Sequence, residues 1–564
     1  MPAQSQTRSG DAVWLLAYRL GGSTYRFASE PVEVLTASGA TTRWAEGLGS
    51  FDGALPRSAT SAAVSIAGGS VDWAELQARG LDLASGRATL YRWFPGQTLE
   101  QAEVILDGNV DDPEWGDIDE AFEFSLIADP WREQSVVPVR GMTIDATTWP
   151  VQFAAGTTGA NVWSIDEPAL GAMYPIPIGR PGAAGWDGLG TLQRAGGAIT
   201  AVPAYLVEYS PGAQYVNDSR LLIAGCDIQA DQVLIFDASD GKSEFFAVHY
   251  TTDLQGRRVA YVSPGDGTVV RPWTGHEYYS SFGPGRGGIW NLDRTDYARG
   301  AGEVLAVLYT QLLPRISPGD AMALPIDRGR MLAQRAYLDR FFVDGVIREQ
   351  MTIHDWVLRN LAPILPIEWV RGPNGWYWLA WRWDATADDV VAELDADAGR
   401  VQRASRHRAI GTAQLRSVFR FEYGAGADGG FTRRRVLTPD YDASDDRVRP
   451  NLRCWLARSR IQQRIGGSGI AEWSGGSQVV QDDATADRIV EWLAARYATP
   501  PTAAIYTGGP ELESLALGDV VRLTDSEMYL DSRLALVRDV TPGVQTTVEL
   551  EILTDPLRAP RRTT

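Results

Sequence analysis

The sequence is poor in the residues that metal, redox and nucleophilic sites use. Its 564 residues include two cysteines, Cys226 and Cys454, far apart and without a CxxC partner. That spacing favours two buried free thiols over a disulfide or a metal site. The histidines are His249, His276, His354 and His407. They form no HExxH or HxH motif, and GxSxG is absent, so neither a zinc hydrolase nor an acyl-transfer enzyme is expected.

An excess of basic residues is also missing. The chain has 71 acidic and 52 basic residues, for a formal charge of −19. A general nucleic-acid binder needs a basic face that neutralises phosphates, so this function class is disfavoured. Met1–Gly10 lacks the features of a signal peptide, and no uninterrupted apolar run approaches the ~18 residues of a membrane span. We therefore expect a soluble protein made in a reducing cytosol.

Apolar residues, glycine and proline are plentiful instead. A hydrophobic fraction of 44% supports real cores, and the length suggests about four domains at ~150 residues each. The 58 glycines and 31 prolines separate short runs that have mostly strand character. No fixed-period repeat is present, which disfavours a solenoid or propeller. The expected fold class is mainly β and multidomain (α+β), with a few short helices.

The first domain is predicted to span residues 1–139. Phe122, Phe124 and Leu126 alternate with polar residues, as in a half-buried strand. A short helix is expected near Asp72–Ala78. The predicted strands are Val13–Leu20, Tyr25–Ala28, Val32–Leu35, Ala62–Ile66, Arg87–Phe94, Val104–Val110 and Ala121–Ala128.

Three further domains are predicted. Residues 140–300 form a β-rich inserted domain, with a hairpin of Gln232–Asp237 and Glu244–His249 around Asp240-Gly241. Residues 301–408 form a mixed α/β domain and residues 409–564 a second β domain with C-terminal strands. The predicted helices are Glu303–Leu313, Thr352–Leu361 and Ala484–Tyr497, and the predicted strands include Ile367–Val370, Trp376–Trp383, Ser417–Tyr423, Ala503–Tyr506, Asp519–Leu523, Leu534–Val540 and Val548–Leu553.

Two carboxylate-rich segments deserve weighing as sites. In the first segment, between Asp107 and Glu120, a glycosidase pair is conceivable, but an acidic solvated loop between two strands is favoured. Asp395–Gly399 resembles part of a calcium loop, yet Arg406 stands where a bidentate Glu is needed. An EF-hand is excluded, and a looser cation site stays open. The carboxylates of the first segment are Asp107, Asp111, Asp112, Glu114, Asp117, Asp119 and Glu120.

Three other patterns favour structural interpretations. Gly283–Gly288 lacks the Lys-Ser/Thr of a phosphate loop and is interpreted as a flexible connector. Arg433-Arg434-Arg435 is interpreted as a solvated strand end or a bridge to a neighbouring chain's acids, although contact with DNA is conceivable. The tryptophans 376, 378, 381 and 383 are expected on both faces of one strand, which favours packing over stacking on a sugar. We assign no catalytic, cofactor-binding or metal-binding residue.

The order of several segments resembles the baseplate hub and tail-tip proteins of long-tailed bacteriophages. The resemblance spans most of the chain, and the C-terminal segments are its most specific part. It is weakest over Thr143–Gly300. The segments are TLYRWFPGQTLEQAEVILDGNVDDPEW running into AFEFSLIADPW, YPIPIGRPG, GVIREQMTIHDWVLRNLAPIL with EWVRGPNGWYWLAW, and QDDATADRIVEWLAARYATPP with LESLALGDVVRLTD.

The resemblance implies a structural virion protein of the tail tip, assembled in the bacterial cytoplasm, and not an enzyme. Hub proteins of this family carry two tail-tube-like β-barrel or sandwich domains, here at both ends of the chain. A homotrimer then adapts a sixfold tube to a threefold tip and forms part of the channel through which phage DNA passes without specific binding. The implied neighbours are the distal tail protein, the tape-measure protein C-terminus and a tip or central fibre protein. No cofactor or membrane span is implied.

Two alternatives stay open. A receptor- or glycan-binding tail-tip protein would show an exposed aromatic cleft. A cell-wall-degrading tail enzyme of the glycosidase type would place two carboxylates about 5–10 Å apart in a cleft.

Overall fold

The structure is a computed structural model. It describes residues 12–48, 61–67, 71, 73–114, 121–128, 136–137, 143–149, 165–181, 202–208, 220–263, 270, 275–282, 286–312, 326–349, 351–372, 375–405, 414–425, 431–440, 445, 447–499, 502–542 and 545–553. The chain is mainly β and multidomain with a few short helices, as the sequence predicts.

The first domain is a curled eight-stranded sheet. Its strands are β1 (Val13–Leu20), β2 (Ser23–Ala28), β3 (Val32–Leu35), β4 (Thr41–Glu46), β5 (Ser61–Ile66), β6 (Arg87–Trp93), β7 (Glu103–Glu114) and β8 (Phe122–Ala128), with helix α1 (Trp73–Ala78). The strand order is β3-β4-β2-β1-β6-β7-β8-β5. Leu48, just after β4, forms a bridge with Ile66 of β5, so the last strand meets the chain that leaves β4. We call this unit the first barrel.

Aromatic side chains fill the core of the first barrel. Trp73 of α1 stacks on Phe122 with ring centroids 4.1 Å apart. The Tyr18 hydroxyl donates a 2.8 Å hydrogen bond to the carbonyl of Leu83, which satisfies its polar end inside the core. The alternating strand pattern predicted for β8 is confirmed, since Phe122, Phe124 and Leu126 are buried while Glu123 is exposed.

The second domain is a seven-stranded sheet. After β9 (Val136–Val137) and β10 (Ile176–Ile178) come β11 (Val202–Glu208), β12 (Arg220–Ala224), β13 (Gln232–Asp237), β14 (Lys242–Ala247), β15 (His249–Thr252), β16 (Arg258–Val262) and β17 (Tyr278–Ser281). The order β14-β13-β17-β11-β12-β16-β15 places β14 and β15 at its two ends. Only Val248 separates these two strands in the chain. The predicted strand Glu244–His249 is therefore divided there, and its two halves serve opposite ends of the sheet.

Helices enter in the central part of the chain. Its elements are α2 (Ala301–Val307), which continues as a π-helical segment over Leu308–Leu312, α3 (Arg328–Leu338), β18 (Gly345–Ile347), β19 (Met351–Thr352), α4 (Ile353–Asn360), β20 (Ile367–Gly372) and β21 (Gly375–Ala380). β18 pairs with β10, and β19 pairs with β9, so this part is bonded to segments that precede the second domain's strands. β20 and β21 form the predicted hairpin.

The remaining strands form two sheets. They are β22 (Val390–Asp395), β23 (Val401–Arg403), β24 (Val418–Ala425), β25 (Phe431–Thr438), β26 (Val448–Pro450), β27 (Glu472–Ser477), β28 (Thr502–Gly508), β29 (Val520–Asp525), β30 (Leu530–Thr541) and β31 (Thr546–Ile552), with helices α5 (Leu452–Ile465) and α6 (Asp483–Tyr497). One sheet has the order β26-β25-β24-β27 and carries α6 on one face. The other has the order β22-β29-β30-β31-β28-β23.

The six-stranded sheet joins residues from both sides of the boundary expected near residue 408. A turn at 396–400 connects its two end strands, β22 and β23, and one core fills its interior. We call this unit the last barrel. Within the described residues, no helix is long and apolar enough to cross a lipid bilayer.

Candidate functional site

The first and last barrels contact each other through a buried ion pair. Arg92 of β6 holds Glu513 with two parallel bonds, Nη2 to Oε1 at 2.9 Å and Nη1 to Oε2 at 3.1 Å. The two side chains are 6% and 12% exposed. Glu103 of β7 adds a second carboxylate oxygen 3.7 Å from Arg92 Nη1. A bidentate guanidinium–carboxylate pair fixes both distance and orientation, so it sets how the barrels meet.

Neighbouring residues hold both Arg92 and Glu513 in position. The Arg92 guanidinium lies over the Phe94 ring, 5.0 Å from its centroid, which restricts its movement. Glu513 lies in a 3-10 turn, Pro510–Ser514, where proline provides the φ angle that starts the turn. Leu512 of that turn is buried in the last-barrel core, so Glu513 is presented on a rigid support.

A second contact joins the first barrel to the central hairpin. Arg371 of β20 donates a 3.0 Å hydrogen bond from Nη1 to the carbonyl of Ile105. It is buried, and burial lowers the pKa of Arg371 while Asp107 opposes that shift. Trp376 of β21 packs against the first-barrel core. Together with the Arg92–Glu513 pair, these contacts attach the first barrel to two later parts of the chain.

The acidic segment does not form the predicted loop. Asp107, Asp111, Asp112 and Glu114 all lie on β7, because the strand runs beyond its predicted end to Glu114. Asp107 is held by Arg87, with Nη2 3.3 Å from Oδ2, and the other three are exposed. The interpretation as a loop is therefore wrong for this part. Asp117, Asp119 and Glu120 lie outside the described residues.

The Asp395 segment caps turns. Asp395 Oδ1 accepts a bond from the backbone N–H of Ala398, and Asp397 accepts bonds from the N–H and hydroxyl of Ser526. These oxygens therefore connect the turn between β22 and β23 to the start of the turn after β29. Arg406 lies outside the described residues.

The arginine run lies inside a strand. Arg433, Arg434 and Arg435 belong to β25, and their partners are acids of this same chain. The expectation of a solvated strand end holds for Arg433, which is exposed near the start of β25, while Arg434 and Arg435 are half-buried. The bridge to a neighbouring chain stays a prediction. The pairs are Arg433–Asp483 at 3.3 Å, Arg434–Asp445 at 2.7 Å, Arg435–Asp483 at 2.6 Å and Arg435–Asp487 at 3.0 Å.

One histidine lies in a group that has metal-ligand geometry. Ligand atoms of His276, Asp237 and Asp240 all fall within 4.8 Å of one another. Asp237 Oδ1 accepts bonds from the N–H groups of Ser239 and Asp240, and its Oδ2 lies 3.0 Å from His276 Nδ1. The Lys242 ammonium pairs with Asp240, with Nζ 3.0 Å from Oδ2. These bonds explain the cluster as the cap of the β13–β14 turn.

The other candidates are structural. His354 stacks on Trp378, with ring centroids 5.5 Å apart, and His249 packs beside Tyr261. His407 lies outside the described residues, as do residues 283–285 of the glycine segment. Gly288 approaches the backbone of Pro177 so closely that a Cβ would lie 2.1 Å from its carbonyl oxygen. This glycine is needed for packing.

Neither Cys226 nor Cys454 forms a disulfide. Cys454 is buried, and burial raises the pKa of its thiol to about 12, which keeps it protonated and unreactive. Cys226 is only half-buried, so the expectation of two buried thiols holds for Cys454 alone.

The tryptophans separate into two groups, because β21 ends at Ala380 before Trp381 and Trp383. Trp376 and Trp378 both contact Trp369 of β20, with ring centroids 5.8 Å and 5.1 Å away. Trp381 and Trp383 instead face a cleft with Trp492 of α6. The expected arrangement on two faces of one strand is therefore wrong. No local pattern indicates that Trp492 joins them, because it lies far from Trp381 and Trp383 in the chain.

No family model and no curated protein matches this chain. Solved structures similar to it include a chain of the virion of a native gene transfer agent particle, at 14% identity over 73% of this chain and 89% of that one, with a TM-score of 0.35. Another is the 43 kDa tail protein of prophage MuSo2 from Shewanella oneidensis, at 10% identity over 96% and 98%, with a TM-score of 0.29. A third is a tail protein from Neisseria meningitidis MC58, at 13% identity over 62% and 96%, with a TM-score of 0.25.

Proposed function

We propose that this chain is a structural protein of a phage tail and forms the hub at the tail tip. Three copies form a ring in which each contributes its first and last barrels, so that six barrel domains face a sixfold tube while the ring keeps threefold symmetry below. The observation that carries the proposal is the direct contact between these two barrels through Arg92 and Glu513.

The separation of these residues in the chain makes the contact informative. They lie 421 positions apart, yet they meet in a buried bidentate pair. A chain that must present two barrels at neighbouring positions of one ring needs such a fixed link, because an adjustable linker would leave their spacing undefined. The sequence resemblance to hub and tail-tip proteins supports the same role independently.

Net charge supports a conduit. The formal charge of −19 disfavours adsorption of a polyanion, so DNA passing a ring built of this chain is repelled and does not stall. In this role the ring would lie between the distal tail protein and a tip or central fibre protein, and would hold the tape-measure protein C-terminus until ejection.

Electron microscopy of the purified full-length chain tests the proposal. We expect threefold rings with six barrel-sized lobes around an axial channel, and a solution mass of three chains. Glu513→Gln removes the carboxylate that orients the last barrel and should reduce the fraction of closed rings. Glu511→Gln is the matched control, because Glu511 lies exposed in the same turn. Monomers, or rings that are equally abundant in both variants, would contradict the role given to this contact.

A further inference from the structure

Helix α5 has a buried face and an exposed face that also carries large apolar side chains. The buried side chains are Cys454, Ala457 and Ile461. The helical period places Leu452 and Trp455 on the other side, where they are 43% and 48% exposed. Arg460 is exposed a little more than one turn after Trp455. We call Leu452, Trp455 and Arg460 the α5 face.

The chain around this helix is basic, although the whole chain is acidic. Residues 447–471 include six arginines and no acidic residue, whereas the full sequence has 71 acidic and 52 basic residues. Arg458 is neutralised by Asp440, but Arg460 forms no ion pair among the described residues. An exposed apolar patch with a cation beside it fits a partner surface that is acidic. The six arginines are Arg447, Arg449, Arg453, Arg458, Arg460 and Arg464.

The end of β7 in the first barrel is an acidic surface of this kind. Asp111, Asp112 and Glu114 are exposed there, and Glu114 lies directly opposite the exposed Glu123 of β8. Within the described part of the chain, no basic side chain pairs with any of the four. Like charges at directly opposite positions destabilise a strand pair, so a cation bound over them stabilises it. We call these four carboxylates the β7 acidic end.

We propose that the α5 face of one copy of this chain binds the β7 acidic end of a second copy. In this contact Arg460 pairs with the carboxylate of Asp111, and Trp455 is removed from water beside that pair. Tryptophan and arginine are the side chains on which protein interfaces most often depend. The contact joins two different surfaces, and such a head-to-tail contact closes a ring when its rotation is a simple fraction of a turn.

This inference rests on the proposed hub role, because it names the surfaces through which copies in the ring meet. The bridge from the neighbouring chain then comes from α5, since the arginines of β25 already pair with acids of their own chain. Each copy provides one basic and one acidic surface, so every copy in a closed ring has both surfaces covered.

Charge favours a second copy over the other partners that a basic amphipathic helix can bind. Duplex DNA and an anionic membrane surface are both extended polyanions. Either of them approaches the whole chain as well as α5, and the formal charge of −19 opposes that approach. The β7 acidic end instead presents its negative charge within a few residues, which matches the small size of the α5 face.

Sedimentation velocity of the full-length chain over a range of concentrations tests the contact by exchanging its charges. Arg460→Glu and Asp111→Arg should each weaken self-association roughly tenfold, because each replaces an attraction with a repulsion. The double variant carries the opposite charges in reversed positions and should associate within about threefold of the parent chain.

Trp455→Ala tests the apolar part of the same face and should also weaken self-association roughly tenfold. Helix α4 offers matched controls, since Leu358 and Arg359 are exposed there and belong to neither surface. Leu358→Ala and Arg359→Glu should associate like the parent chain. Circular dichroism of each variant shows whether its fold is intact.

The other results separate this contact from the hub role. Rings that form equally well in Arg460→Glu and Trp455→Ala would overturn the contact and leave the hub role standing. A double variant that associates no better than the single variants would show that Arg460 and Asp111 do not meet. A parent chain that stays monomeric would contradict both proposals. Binding of the parent, but not of Arg460→Glu, to duplex DNA or to phosphatidylglycerol vesicles would assign the α5 face to a polyanion instead.

Discussion

Buried charged side chains define the contacts between the first barrel and later parts of the chain. Arg92 and Glu513 are removed from water, where a charge is tolerated only when it is paired, and Glu103 adds a second carboxylate beside Arg92. The buried guanidinium of Arg371 instead donates a hydrogen bond to a backbone carbonyl. In both cases a specific hydrogen bond, and not apolar contact alone, holds the first barrel against its neighbour. Such a directional bond fixes the relative position of the two parts.

Glu513→Gln should lower the midpoint of the first thermal transition. Neutralising Glu513 removes the bidentate partner of Arg92 and leaves Glu103, 3.7 Å from Nη1, as its one remaining carboxylate among the described residues. The loss of these charged hydrogen bonds costs about 2 kcal/mol in free energy of unfolding. Differential scanning calorimetry measures the change. Glu511→Gln should change the midpoint little, since exposed charges contribute at most about 1 kcal/mol. Equal midpoints for the two variants would show that the pair carries no stability.

The network between β25 and α6 gives a pH-dependent contribution. A 2.6 Å hydrogen bond from Tyr423, helped by Arg435 and Arg433, lowers the pKa of Asp483 below its ordinary value of 3.8. The folded state then binds fewer protons than the unfolded state in this window. Stability from Asp483 is therefore complete above pH 3.8 and is lost as the pH falls through the folded pKa.

Asp483→Asn should flatten the dependence of melting temperature on pH below about 4. Melting curves at a series of pH values compare it with the parent chain. Asp531→Asn, at an exposed position of β30, is the control and should keep the parent's slope. If Asp483→Asn and the parent lose stability in parallel, the network does not contribute to acid sensitivity.

Helix α6 packs on one face of the four-stranded sheet and shares a core with it. Ile489, Val490 and Leu493 are buried in one core with Phe419 and Phe421 of β24. Asp482 caps the helix by accepting a 2.9 Å bond from the N–H of Thr485. Trp492 and Arg496 follow Ile489 and Leu493 by three residues, so they lie beside this buried face, where they line the cleft with Trp381 and Trp383.

Leu493→Asp should lower the free energy of unfolding by several kcal/mol. It places an unpaired carboxylate in a position that is 2% exposed, where no partner compensates the loss of water. Urea unfolding followed by circular dichroism measures the loss. Ala484→Asp is the control, because Ala484 is exposed in the first turn of α6, where a negative charge is stabilising. Similar unfolding of the two variants would contradict the packing of this helix.

Elements with a strong alternating or helical pattern were predictable from the sequence, and others were not. β1 and β3 match their predicted bounds because apolar residues and glycine turns define them locally. Helix α5 was missed because its buried side chains are few, Cys454, Ala457 and Ile461, among several arginines. β27 was missed because its two glycines disfavour a strand, and pairing with β24 overrides that preference. Local patterns carry no information about such tertiary support.

The candidate sites were less predictable than the fold for the same reason. Tryptophan and acidic runs are visible in the sequence, but their partners come from distant positions. Trp492 joins Trp381 only through the packing of α6 beside the last barrel, and Glu513 meets Arg92 only when both barrels have formed. The contacts that define the candidate sites are therefore long-range, whereas sequence patterns report local structure.

At the scale of the whole molecule, strand edges set where another chain could add. In the first barrel, Leu48 after β4 forms a bridge with Ile66 of the end strand β5. In the four-stranded sheet the end strands are β26 and β27, and neither has a second partner among the described strands. Open edges of this kind are sites where another chain adds or covers.

Duplex DNA should not bind the assembled chain. A net charge of −19 opposes the binding of a polyanion, and Arg434 and Arg435 of the described arginine run already pair with acids. An electrophoretic mobility assay at low salt, where electrostatic binding is strongest, measures this directly. Retarded DNA would show a basic surface and would contradict a channel wall that repels its cargo.

Exposed apolar side chains on and after α5 lead to the last prediction, which rests on the proposed hub role. Leu452, Trp455, Ile465 and Ile470 are 43–70% exposed on α5 and the chain that follows it, and large apolar patches seldom stay bare on soluble proteins. We expect a neighbouring copy to cover such surfaces and the open sheet edges, with contacts above about 1,000 Å². Purified tails should then contain three copies, counted by quantitative mass spectrometry against the major tube protein. Six copies, or a position away from the tail axis, would defeat the hub role and favour a peripheral fibre or receptor-binding role.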